Sequence, residues 1–144
     1  MQKSFKNRYN INKSYKFSNK ENEIYNYLLI YDVNIKRQYY SELYPFHCDF
    51  YLPKYDTYIE FNGTWTHGTH AFNIEDKNDI YQYNKWVEKS KNSKYYKSAI
   101  KNWTITDPLK RQYAKNNKLN YLEIFYYDDY KNKISNYINM LNAK

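Results

Sequence analysis

Glycine, cysteine and proline are scarce in this chain of 144 residues, at two, one and three respectively. The single cysteine, Cys48, excludes an internal disulfide framework and a cysteine-rich zinc site. No apolar run approaches the roughly 18 residues of a membrane span, and the N-terminal MQKSFKNRYN lacks the apolar core of a signal peptide. These absences predict a soluble cytoplasmic protein with no membrane partner. Acidic residues are also outnumbered, 15 against 23 Lys and Arg, for a formal charge of +8. Codon bias in an AT-rich genome would raise Asn as readily as Lys, and the chain holds 20 of each. Such a bias leaves the sign of the charge open, so the basic excess points to a polyanionic partner.

Scarcity gives position a meaning. Both glycines, Gly63 and Gly68, fall in GTWTHGTH, as expected of a loop with unusual backbone geometry beside a site. Residues 1–17 form a basic arm with Lys3, Lys6, Arg8, Lys13 and Lys16 and no acidic residue. A single domain over 18–144 follows. Ser18 and Glu21 match the Ser-x-x-Glu capping box, with Ile24, Leu28 and Tyr31 at helical spacing. Strands are expected near Arg37–Tyr40, Phe46–Leu52 and Thr57–Asn62, separated by turns at Ser41–Pro45 and Pro53–Asp56. A helix is expected within Ile74–Lys101. Another should start at Asp107-Pro108, with Asp as N-cap and Pro in the first turn. A strand over Leu119–Tyr126 and a helix from about Asp128 complete the order α-β-β-β-α-α-β-α, an α/β fold.

The chemistry concentrates in FHCDFYLPKYDTYIEFNG. Asp49 and Glu60 interrupt apolar strands, and a carboxylate in a strand core is costly without a compensating cation. Strand alternation places His47, Asp49 and Tyr51 on one face and Cys48, Phe50 and Leu52 on the other. If the two strands pair, Asp49 and Glu60 converge, and Glu21 offers a third carboxylate. Three hard oxygen ligands in an open site suit Mg²⁺, which activates water and polarises phosphate.

These residues resemble the PD-(D/E)xK, or restriction-endonuclease-like, nuclease superfamily. The resemblance rests on the helix glutamate in SNKENEIYNYL, the acidic residues of CDFYLP and YIEFNG, and the trailing DPLKRQYAKNNKLNYLEIFY, and covers about residues 20–126. It is closest to phage and mobile-element endonucleases, including homing and very-short-patch-repair-like enzymes, in which a His-containing loop follows the second acidic strand. It implies a mixed central sheet flanked by helices and a Mg²⁺-dependent endodeoxyribonuclease, with Mn²⁺ as a substitute ion and DNA as partner. The host cytoplasm would be the compartment of a phage-encoded member. By the same resemblance Asp49, Glu60 and the Phe61 carbonyl bind metal, and Glu21 assists; Glu23 competes for that place. Asn62 stands where the family's lysine belongs. His67 is the favoured general base in compensation, while Lys110 or Arg111 would supply charge and contact DNA with the arm. One site cuts one strand, so a double-strand break would need a homodimer or two nicks. Two other readings compete: a nucleic-acid-binding or regulatory module on a decayed nuclease scaffold, and a zinc site from His47, His67, His70 and Asp49.

Overall fold

The computed structural model describes residues 17–63 and 65–144. The arm cations Lys3, Lys6, Arg8, Lys13 and Lys16 lie outside the described residues. Helix α1 (Asn19–Leu28) starts where Ser18 Oγ accepts the Glu21 N–H, at 3.0 Å. Strands β1 (Lys36–Tyr39), β2 (Cys48–Leu52) and β3 (Thr57–Asn62) pair antiparallel in sequence order. Strand β4 (Asn120–Phe125) joins β3 in parallel, giving a mixed sheet ordered β1-β2-β3-β4. Every residue of β3 is buried, as expected of an inner strand covered on both faces. Helix α1 and the C-terminal helix α5 (Tyr130–Asn142) cover one face, burying Ile24, Leu28, Ile59, Ile124, Ile134 and Ile138. Tyr44, Cys48 and Tyr58 form a smaller cluster apart from that core.

The β3–β4 connection is more helical than the sequence suggests. It holds α2 (Lys77–Ser90), α3 (Lys94–Lys101) and α4 (Asp107–Asn116), so the order is α-β-β-β-α-α-α-β-α. Asp107-Pro108 does not begin a free helix. Instead α3 passes into α4 through a π-helical stretch, Asn102–Thr106, and Thr106 and Asp107 both have helical dihedrals. Pro108 cannot donate to the carbonyl one turn back, and its ring crowds that carbonyl. Widening the preceding turn relieves this without ending the helix. Asp107 is thereby released from capping, and its side chain turns to His67.

Strand β2 breaks its alternation at Asp49. Phe50 and Leu52 join the main core as expected, but Cys48 packs with Tyr44 and Tyr58. The β1–β2 pairing of Arg37 with Phe50 and Tyr39 with Cys48 leaves Gln38 opposite Asp49. Gln38 has φ +52°, in the left-handed region, which costs a non-glycine residue about 1–3 kcal/mol. Arg37 stands over the Phe50 ring while Tyr39 stacks on Tyr51 at 4.2 Å. Both strands therefore change phase at the Gln38–Asp49 step, with no residue inserted.

The glycine loop meets its expectation. A Cβ on Gly63 would lie 2.2 Å from the Phe61 ring. Gly68 has φ +68°, and a Cβ there would meet Trp103 Nε1 at 2.5 Å. Gly68→Ala combines backbone strain with a clash against a buried indole. It should lower the unfolding free energy by about 2–3 kcal/mol, read as a lower urea midpoint at unchanged slope.

Candidate active site

Beyond the Phe50–Ile59 pair, side chains replace the β2–β3 ladder. The Asp49 N–H donates to Glu60 Oε1 at 3.0 Å, and the Phe61 N–H donates to Asp49 Oδ2 at 2.8 Å. The two carboxylates are thus locked by each other's strand. Gln38 Nε2 donates to Asp49 Oδ1 at 3.2 Å from its left-handed position. Glu60, only 2% exposed, also accepts from the Tyr44 hydroxyl at 2.5 Å and pairs with Lys110 Nζ at 3.1 Å, both through Oε2. Helix α4 places Lys110 above the sheet end, four residues before Ala114, which anchors the same helix face.

Glu21 approaches from α1. Its N–H completes half of a capping box, but its carboxylate turns to Arg37 NH2 at 3.2 Å. Arg37 lies over the Phe17 and Tyr25 rings, 3.3 and 4.5 Å from their centroids, so Glu21 is oriented by a rigid cation. Glu23, the competing candidate, is exposed on α1. Glu21, Asp49, Glu60, Asn62, His67 and Lys110 line one cleft of about 450 Å³, with the N-terminal end of α1 and Lys20 also on its wall.

Electrostatics mark Asp49 as the point of uncompensated charge. Burial, then the neighbouring Glu60 and Glu21 carboxylates, push its carboxyl well above the usual range. Burial also raises Glu21, against the opposing effect of Arg37. For Lys110, burial favours the neutral amine, but Glu60 and Asp49 outweigh it and raise the ammonium's pKa. Lys110 therefore remains a cation at neutral pH and cannot act as a base. Burial and Glu60 hold Tyr44 firmly protonated, so it serves Glu60 as a donor.

Asn62 and the histidines have definite partners. Asn62 Nδ2 donates to Glu123 Oε2 at 2.7 Å, and Arg111 binds the same carboxylate through two nitrogens. Arg111 is thus committed to the sheet, whereas Lys110 faces the cleft. His67 Nδ1 lies 2.6 Å from Asp107 Oδ2; Asp107 is 2% exposed and its Oδ1 has no hydrogen-bond partner. With Nδ1 donating to this carboxylate, Nε2 is the nitrogen left to accept a proton. His70 pairs with Asp79 at 2.7 Å, and His47 lies beside Tyr40. The three histidines are not gathered, and among the described residues no three His, Cys, Asp or Glu form a ready-made metal cage. The zinc reading has no support in this arrangement.

A Mg²⁺ site asks for less. It takes one or two carboxylates, keeps several waters and completes its shell with substrate phosphate. Asp49 and Glu60 fit that donor set, since each carboxylate has about four lone-pair positions and neither has all of them filled. The raised Asp49 pKa expresses a charge that a cation would relieve. Phe61 stands on the cleft wall with its N–H committed to Asp49. Gln38, Tyr44 and Asp107 are site residues that the sequence does not single out. Tyrosine, present 21 times, carries little positional signal, Gln38 carries none, and Asp107 reads as a helix cap. Comparison with protein-family models, curated proteins and solved structures finds no match to this chain.

Proposed function

We propose that this chain is a metal-dependent endonuclease that hydrolyses DNA phosphodiester bonds on a restriction-endonuclease-like core. The observation that carries the reading is the lock between Asp49 and Glu60, with Lys110 at 3.1 Å from Glu60. Two carboxylates and a lysine at one sheet end are the elements that the nuclease resemblance requires. The lysine comes from α4 rather than from the position of Asn62. A Mg²⁺ ion held by Asp49 and Glu60 would polarise the scissile phosphate and lower the pKa of a bound water.

The chain's own groups account for the remaining roles. Lys110 offsets negative charge building on the phosphate, which a fixed cation does well in a partly buried cleft. His67 accepts a proton at Nε2 from the attacking water, and Asp107 holds the ring and steadies the imidazolium. Asn62, tied to Glu123, shapes the cleft floor without supplying charge. A homodimer would allow both strands to be cut.

Supercoiled plasmid incubated with protein and Mg²⁺ tests the reading. Nicking should appear with Mg²⁺ or Mn²⁺, vanish with chelator, and fall at least ~10³-fold in Glu60→Gln. His67→Ala should lose about 10²–10⁴-fold in rate under the same conditions. DNA binding without cleavage under all of these conditions would instead establish the binding-module reading.

A further inference from the structure

Helix α2, the π-helical stretch and the glycine loop line a second cavity, also about 450 Å³, that the hydrolytic site does not use. Its apolar walls are Trp65, Trp86 and Trp103. The last two are buried, with ring centroids 5.1 Å apart, while Trp65 is 49% exposed and stands 5.6 Å from Trp86. The side-chain amides of Asn78 and Gln82, one helical turn apart on α2, line the same cavity. Neither amide has a hydrogen-bond partner among the described residues. The accessible indole is therefore that of Trp65, over a floor of buried Trp86 and Trp103, with the half-buried Gln82 amide and the exposed Asn78 amide free to meet a ligand at the rim.

We infer that this cavity receives one unpaired nucleobase of the strand held in the active-site cleft, an inference that rests on the nuclease reading. Indole faces stack on any base, worth about 1–3 kcal/mol per base. Carboxamides present the donor and acceptor pair that matches a base edge. The cavity and the cleft share one wall. Trp65 lines the cavity and His67 the cleft, within a single 3₁₀ turn, Trp65–His67. Two residues span at most ~7 Å of chain, so the cavity adjoins the cleft along this turn.

The wall is rigid before any ligand arrives. Trp103 Nε1 donates to the His70 carbonyl at 2.8 Å, and Asp79 holds both His70 and the Asn73 N–H. A base stacked inside a duplex cannot reach such a pocket, so the preferred substrate carries an extruded or single-stranded nucleotide. Recognition of that nucleotide would then place the adjoining phosphate against Lys110 and the carboxylate pair.

Binding of two short duplexes without divalent metal tests this. One carries a single unpaired 2-aminopurine, the other an abasic nucleotide at the same place. The wild-type chain should bind the first at least ~10-fold more tightly and change its fluorescence. In Trp65→Ala and in Gln82→Ala, whose side chain bonds nothing in the fold, the preference should fall toward unity. Equal affinity for both duplexes, or a preference that survives both substitutions, would overturn the proposal. The plasmid assay reads hydrolysis separately. Nicking without base preference would remove the pocket alone, whereas base preference without nicking would keep the pocket and remove the hydrolytic reading.

Discussion

Asp49→Asn should make the protein more stable and inactive at once. The raised pKa of Asp49 means that the folded state penalises its ionised form. A carboxyl whose folded pKa lies above its unfolded one contributes fully below the unfolded value, near 3.8. That contribution is lost as pH rises through the folded pKa, so at neutral pH the ionised group costs stability. One pKa unit corresponds to about 1.4 kcal/mol. An isosteric amide can keep the Phe61 N–H bond and removes the repulsion from Glu60 and Glu21. The variant should therefore gain about 1–2 kcal/mol at pH 7, or roughly 3–8 °C in melting temperature. The gain should shrink as pH falls toward 4, and cleavage should be lost at least ~10³-fold. Melting curves from pH 4 to 8 beside the plasmid assay check both halves. A stability loss that persists across this pH range would show that Asp49 is an ordinary structural carboxylate.

Lys110→Met should do harm on both counts. Removing the ammonium leaves Glu60, almost fully buried, without its only charged partner among the described residues. Breaking a buried pair costs about 3–5 kcal/mol, and the 18% exposure of the Lys110 side chain argues for the lower end. Cleavage should fall by ~10² or more through the lost charge at the phosphate. The double variant Lys110→Met/Glu60→Gln separates the two effects. It should recover much of the stability, because Glu60 no longer leaves an unpaired buried charge, and none of the activity. Since the Lys110 pKa is raised, the pair's contribution holds below the ordinary lysine value and disappears only as pH climbs beyond it. Additive losses in the double variant would show that the two side chains are not coupled.

Much of this architecture is legible in the chain. The strand Thr57–Asn62 lies where its apolar run places it, and the remaining strands fall within two residues of expectation at either end. Helix α1 begins at the Ser18 signal, and Ile24 and Leu28 are buried as their spacing requires. Local rules work at these places because burial and capping agree with tertiary packing. They fail where a long-range contact outweighs a local preference. Asp107-Pro108 carries a strong helix-start signal, yet α3 continues into it because the π turn absorbs the proline. Strict alternation in β2 fails at Asp49 because a left-handed Gln38 turns both strands over at that step.

The sequence by itself determined the make-up of the candidate site: a carboxylate pair eleven residues apart on adjacent strands, a helix glutamate, a glycine-bearing loop and a basic surplus. Strand pairing and hydrophobic periodicity are short-range, so these features survive in one dimension. Only the tertiary structure decided which cation serves Glu60. Lys110 lies fifty residues away in sequence, and its approach to Glu60 depends on where the fold sets α4. The same packing ties Asn62 and Arg111 to Glu123, His67 to Asp107, and three distant tryptophans to one cavity. Such pairings depend on folded geometry and leave no periodic trace along the chain.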